Sequence, residues 1–311
     1  MTRRAQLDPA LSTRVVATRT LVYERPGDAA DDRPDHVRAA SGLAMQGSRL
    51  IVIQDDASFL AEVTTTGVSA VKLPRGLHGR RRFEVSLGNK LDKLDLESCV
   101  AIDDELWAFG SGSLPIRDKI CIVRDAIPRV RDAAPLFDRI RDLLGGAVNI
   151  EGAARVREEL WLFHRGNTGP DDLGPAVIRF ALPAMRTWLA AEGAMPAILS
   201  IEGYDLGEID GVRLGFTDAI CEGDSRVFYL ATAERTPNAI DDGVIVGSQL
   251  GVITAGSVRA ATLASPEGTP VKAEGIALDP KRPTHAWVAL DCDDPDQPAL
   301  LYDVELVGPW R

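Results

Sequence analysis

The chain has 311 residues, of which 45% are hydrophobic, 5% aromatic and 26% charged, and its formal net charge is −11. That balance excludes a nucleic-acid binder, which needs clustered Lys and Arg to neutralise phosphates. No run approaches the ~18 apolar residues of a membrane helix.

The N-terminal MTRRAQLDPALSTR carries positive charge with no apolar stretch behind it, so no secretory signal is read. Cys99, Cys121, Cys221 and Cys292 are scattered without a CxxC. They read as small buried hydrophobes in a reducing compartment, and the expected location is the cytoplasm.

Thr13–Glu24 (TRVVATRTLVYE) reads as a strand that precedes any repeat. Five segments then share one layout of a small or acidic residue, an apolar stretch, a turn and a second apolar strand. They are SGLAMQGSRLIVIQDD from Ser41, ESCVAIDDELWAFGSG from Glu97, EGAARVREELWLFHRG from Glu151, TDAICEGDSRVFYLATAE with Asp218 in register, and EGIALDPKRPTHAWVALDCD from Glu274. The spacing matches one four-stranded propeller blade plus loops.

In the second repeat Cys99–Ile102, Glu105–Phe109, Lys119–Arg124 and Pro128–Asp132 are the expected strands. PLFDRIRDLLGG follows with Leu136, Phe137, Ile140, Leu143 and Leu144 at helical spacing and Gly145-Gly146 as a stop. Pro183–Gly193 reads as a second short helix. After Glu274 there is room for three strands only: Gly275–Leu278, Thr284–Leu290 and Leu300–Leu306. Thr13–Glu24 supplies the fourth and fastens the chain ends together. The expected fold is all-β: a single five-bladed β-propeller over residues 1–311, closed by its N-terminal strand, with one or two peripheral helices.

The innermost strand of each blade lines the axial channel. Its heads, Ser41, Glu97, Glu151, Asp218 and Glu274, then form a mostly acidic ring. Four converging carboxylates cannot all stay ionised unaided, because like charges and desolvation both raise their pKa values. Some are protonated, or basic side chains pair with them, or a cation sits among them. A hard divalent cation with oxygen ligands fits best, and calcium's flexible 6–8 coordination suits a fivefold ring better than magnesium's octahedron.

The order Ser, Glu, Glu, a hydroxyl or acid, then Glu resembles the soluble calcium-activated nucleotidases (apyrases). The local likenesses are Phe216-Thr217-Asp218 with Val227–Glu234, Lys272-Ala273-Glu274-Gly275-Ile276, and the acidic pair Asp55-Asp56. The SGLA and EGIA heads are also similar to those of phytase-like and lactonase-type propellers. The resemblance implies a five-bladed propeller with axial Ca2+, held by Ser41, Glu97, Glu151, Asp218 and Glu274 directly or through water. It implies a hydroxyl at the fourth head, where this chain has Asp218 beside Thr217. Arg165, in the FHRGN loop, matches a basic position of that family, and Lys90 and Lys93 precede the Glu97 head.

The resulting expectation is hydrolysis of a phosphorylated, anionic small molecule. Glu151 and the neighbouring His164 would handle the proton, Arg165 would stabilise charge, and Lys90 and Lys93 would hold the substrate. The alternatives are a non-catalytic propeller whose ion is structural, with rim loops for a protein partner that the sequence does not identify, and a metal-dependent lactonase or esterase. The basic loop Gly76–Ser98, with Arg80, Arg81 and Arg82, is a candidate to draw in an anion. FGSGS (Phe109–Ser113) reads as a blade loop, and Asp291–Pro298 as a solvent-facing hairpin loop.

Overall fold

In the computed structural model, residues 2–166, 172–236 and 243–311 are described. Five antiparallel sheets follow one another along the chain. Blade 1 comprises Ala40–Gln46, Arg49–Gln54, Phe59–Val63 and Val68–Lys72. Blade 2 comprises Leu96–Ile102, Glu105–Gly110, Lys119–Arg124 and Ile127–Asp132. Blade 3 is Ile150–Val156, Glu159–His164, Ala176–Ala181 and Ile198–Asp205. Blade 4 is Val212–Glu222, Arg226–Arg235, Val244–Ile253 and Val258–Leu263, with Glu208–Ile209 at its inner edge. Blade 5 is Lys272–Leu278, His285–Asp291 and Leu300–Val307, completed by Ser12–Thr20. The first strands of successive blades touch in a closed circle, that of blade 5 returning to blade 1. The expected five-bladed propeller with an N-terminal closing strand is what the chain forms.

The extreme N-terminus does more than close the ring. Thr2–Arg4 pairs parallel with the outer strand of blade 3, and Gln6–Leu7 pairs parallel with that of blade 4. The segment therefore crosses two blades, 3 and 4, before it enters blade 5, covering strand edges that would otherwise present free backbone groups.

Alternation along the strands buries one face of each blade against the next. Five hydrophobic clusters result, each straddling one blade-to-blade seam. The seam between blades 2 and 3 is capped by the helices Ala134–Leu144 and Leu182–Leu189, which bury Leu136, Phe137, Ile140 and Leu144, and Leu182, Met185, Trp188 and Leu189. The seam between blades 5 and 1 buries Ala40, Ala61, Ala277, Ala289 and Ala299 beside larger residues such as Tyr23, Leu43 and Leu50.

Cys99 and Cys121 are buried as expected, but Cys292 is exposed and Cys221 half-buried, because both lie at or beyond strand ends. Among the described residues no helix is long and apolar enough to cross a membrane.

Candidate functional site

Every innermost strand carries a β-bulge at its head. The register shifts fall between Ala40 and Gly42, Leu96 and Ser98, Ile150 and Gly152, Phe216 and Asp218, and Ala273 and Gly275. A bulge leaves one residue outside the ladder and re-aims its side chain. The five bulged residues are Ser41, Glu97, Glu151, Thr217 and Glu274. The structure thus places Thr217, and not Asp218, at the fourth equivalent position. The sequence pattern was off by one residue because a polar residue stands at both positions and the bulge itself is invisible in it.

The two hydroxyl members behave alike. Ser41 Oγ donates to the carbonyl of Leu96 at 2.6 Å, and Thr217 Oγ1 donates to that of Ala273 at 2.5 Å. Each acceptor immediately precedes the head of the next blade, so each hydroxyl ties neighbouring blades at ring level. The residues after the heads are small at four positions, Gly42, Ser98, Gly152 and Gly275, because the inner strands crowd there. A Cβ on Gly275 would stand 2.9 Å from the carbonyl carbon of Gly42 and 2.9 Å from the amide nitrogen of Leu43. Asp218 is the exception. Its side chain is fully buried and accepts backbone N–H bonds from Ala219 at 2.8 Å, Ile276 at 2.8 Å and Leu43 at 3.4 Å. It therefore knots blades 4, 5 and 1 together one step below the ring. Burial raises its carboxyl well above the usual range, and those three amides oppose the rise.

The three glutamates meet different partners. Glu151 accepts from Asn149 Nδ2 at 2.6 Å and from Arg165 Nη1 at 2.8 Å. Arg165 in turn reaches Glu234 Oε2 with Nη2 at 2.6 Å. Gly215 makes room for this crossing, since a Cβ there would lie 2.5 Å from Arg165 Cγ. Lys272 stands 3.9 Å from Glu274, but 3.1 Å from Asp291 and 2.6 Å from Asp293. Glu274 Oε1 is buried and has no hydrogen-bond partner among the described residues. Glu97 forms no ion pair among them either, although oxygens of Asp55, Asp95 and Glu97 come within 4.8 Å of one another. Lys93 sits between Asp55 and Asp95, 2.7 Å from the latter, and Arg117 approaches Asp95 at 2.9 Å.

Asp95, Asn149 and Lys272 each stand two residues before a head. The sequence reading missed them, along with Glu234, Asp291 and Asp293. The signal was there as a polar residue recurring at one offset in three repeats. Residues 292–297 are exposed, as a solvent-facing loop would be, yet Asp291 and Asp293 at its start both accept from Lys272 Nζ.

Carboxylates outnumber cations in the channel mouth. Asp55, Asp95, Glu97, Glu151, Glu234, Glu274, Asp291 and Asp293 face Lys93, Arg117, Arg165 and Lys272, twice as many acids as bases. Desolvation accordingly pushes Glu151 up to about 7, with Arg165 opposing the rise, and raises Glu97 and Glu274 well above the carboxylate range. Burial works against the charge of Arg165, but Glu151, Glu274 and Glu234 keep it firmly protonated. Asp55, Asp95 and Glu97 do the same for Lys93.

Other expected participants sit elsewhere or are already committed. His164 is buried, its Nδ1 accepts the backbone N–H of Asn149 at 3.0 Å, and burial holds its pKa down at about 4. It is a neutral ring with its proton on Nε2, 4.0 Å from Asp172. Lys90 lies on the short turn Lys90–Asp92 that precedes the Glu97 strand. Arg80 pairs with Asp32, Arg81 lies near Asp31, and the backbone N–H groups of Arg81 and Arg82 bond Asp32. That part of the basic loop Gly76–Ser98 thus fastens the segment around Asp31 and Asp32, which the sequence reading did not connect to it. Ser111 and Ser113 of FGSGS bond Asp95 and Arg117, as a blade loop would. Asn167 of the FHRGN loop lies outside the described residues.

Residues 36–306 match the model of a family of unknown function, DUF6929. The chain belongs to the DUF6929 family. No curated protein matches this DUF6929 sequence. Among solved structures, it is similar to a mannose phosphorylase from Leishmania mexicana in complex with phosphate ion, with 13% identity and a TM-score of 0.50 over 93% of this chain and 88% of that one. It is also similar to streptogramin B lyase, with 10% identity and a TM-score of 0.43 over 93% and 97% of the two chains. A chain of a nidogen–laminin complex matches with 10% identity and a TM-score of 0.40 over 87% and 86%. These are β-propellers, and at such identities the likeness is one of fold alone.

Proposed function

We propose that the channel mouth binds a divalent cation, calcium by its chemistry, and that the loaded protein hydrolyses a phosphorylated small molecule. One observation carries the reading: three glutamates project from equivalent bulges, and among the described residues Glu97 has no ion pair, Glu274 has only Lys272 at 3.9 Å, and Glu274 Oε1 is buried without a hydrogen bond. The donor set fits a hard cation, being carboxylate oxygen with no Cys or His among the bulged residues. Glu97 and Glu274 would hold the ion, with Asp55 and Asp95 at one side and Glu151 beside it. When bound, such an ion polarises a phosphoryl oxygen and lowers the pKa of water.

Glu151, near neutrality and oriented by Asn149 and Arg165, is placed to accept a proton from water. Arg165 and Lys93 are positioning residues in this reading, since carboxylates already occupy them. That occupation also favours a second reading, in which the ion only holds the blades together at the axis.

The test is calorimetric titration of calcium into chelator-treated protein, paired with phosphate release from nucleoside diphosphates. Stoichiometric binding that Glu97→Gln abolishes, with release that depends on calcium and on Glu151, supports the hydrolase. Binding and thermal stabilisation without release support the structural ion. No binding rejects both.

A further inference from the structure

A cavity of about 400 Å³ opens between blades 5 and 1. It lies toward the turns Ser48 and Asp279–Arg282, at the end of the inner strands remote from the heads, so it is separate from the channel mouth. Met45, Leu50, Val63, Leu301 and the face of Trp287 form an apolar wall. The volume lies in the range of small-ligand pockets.

Trp287 is the informative residue. It pairs with Ala277 as Trp107 pairs with Val100 and Trp161 with Ala154, three residues past the head in each case. In blades 2 and 3 the indole N–H is satisfied by the glutamate two residues earlier: Trp107 Nε1 donates to Glu105 at 2.8 Å and Trp161 Nε1 to Glu159 at 2.7 Å. Blade 5 has His285 at that offset, and its ring bonds Asp303 at 2.7 Å. The half-buried Trp287 N–H is thus left without a protein partner among the described residues.

The acids lining the cavity are consumed as well. Asp279 pairs with Arg282 at 2.6 Å and accepts the backbone N–H of Lys281, and Asp303 takes Arg282 at 2.7 Å besides His285. Lys281, exposed at the rim, has no ion pair among the described residues. What remains is an aromatic side chain with one unused N–H donor and two cations without a carboxylate partner among the described residues, Lys281 and Arg19, the latter donating to the carbonyl of Thr64. We propose that this cavity binds a small aromatic carboxylate, its ring against the apolar wall and its carboxylate accepting from Trp287 Nε1 with Lys281 and Arg19 as the nearby cations.

The probe is 2-naphthoate, titrated calorimetrically into the full chain, with 2-naphthalenemethanol as its uncharged counterpart. Saturable one-to-one binding of naphthoate is expected. Lys281→Gln weakens it about fivefold, the size of an exposed ion pair, and leaves the alcohol unchanged. Trp287→Phe keeps the ring face and weakens naphthoate about fivefold through loss of one hydrogen bond. Ala17→Trp, at an exposed position lining the cavity, blocks both probes while the unfolding midpoint stays at the wild-type value. Absence of saturable naphthoate binding to the wild type overturns the proposal, as does binding that survives Ala17→Trp. Binding that Glu97→Gln removes but Ala17→Trp does not assigns the probe to the channel mouth and also overturns it.

Discussion

Gly215 and Arg165 occupy one space: a Cβ on the glycine would stand 2.5 Å from Arg165 Cγ and 2.7 Å from its carbonyl oxygen. The guanidinium crosses toward Glu151 and Glu234 only because residue 215 has no side chain. Gly215→Ala should therefore destabilise the protein by about 1–3 kcal/mol through overpacking. Gly146→Ala, where a Cβ meets nothing within 4 Å, is the matched control and should be near neutral. Urea midpoints of the two variants check this.

Asp218 and Thr217 should separate by magnitude. Asp218→Asn keeps the shape but turns an amide group toward three backbone donors, and should cost about 2–3 kcal/mol. Thr217→Val removes one donor to the Ala273 carbonyl and should cost about 1 kcal/mol. Equal losses in chemical denaturation would contradict the distinction between an axial knot and a single inter-blade tie.

Neutralising a ring acid should have opposite effects with and without calcium. In chelator, Glu97→Gln or Glu274→Gln should match or exceed the wild-type melting temperature, because each removes a like charge from a crowded site. With calcium at about 100 times its Kd, the wild type should gain about 2.7 kcal/mol and the variants far less. Differential scanning calorimetry in both conditions reads the contrast.

The pH dependence follows from carboxyls whose folded pKa lies above the ordinary value. Burial pushes Glu151 up to about 7, burial with the neighbouring Asp55 does so for Asp56, and burial, opposed by Lys272, does so for Asp293. Between the unfolded value near ~4 and the folded value, the native state binds more protons, so stability falls as pH rises through that window. His164, held down at about 4, acts in the opposite sense between its folded value and its unfolded value near ~6.5. Three raised acids outweigh one lowered histidine. The calcium-free protein should be more stable near pH 5.5 than near pH 7.5, and saturating calcium should flatten or reverse that slope. A melting temperature in chelator that rises from pH 5.5 to pH 7.5 would contradict it.

The blades were legible because each repeat combines a head, an apolar run and a turn, and because the strand at the N-terminus had no blade of its own. The ring was legible at Ser41, Glu97, Glu151 and Glu274, where one polar residue stands between small or apolar neighbours. It failed at Thr217-Asp218, where only backbone register decides which residue leaves the ladder. The cations were half legible: Arg165 and Lys93 were noticed, but their saturation by Glu234 and Asp55 depends on contacts across blades. Thr2–Arg4 and Gln6–Leu7 were missed because pairings of two or three residues leave no alternation to read.

The N-terminal segment that crosses blades 3, 4 and 5 reverses the order in which the chain is made. Ser12–Thr20 is made long before its partner Leu300–Val307. Blade 5 must therefore wait until Leu300–Val307 has been made, with its first-made strand unpaired until then. Such contacts between distant parts of a chain carry a high loop-closure entropy and slow folding. Ring closure is then a late, all-or-none event, and until it occurs the exposed strand is the point most open to mispairing with another chain.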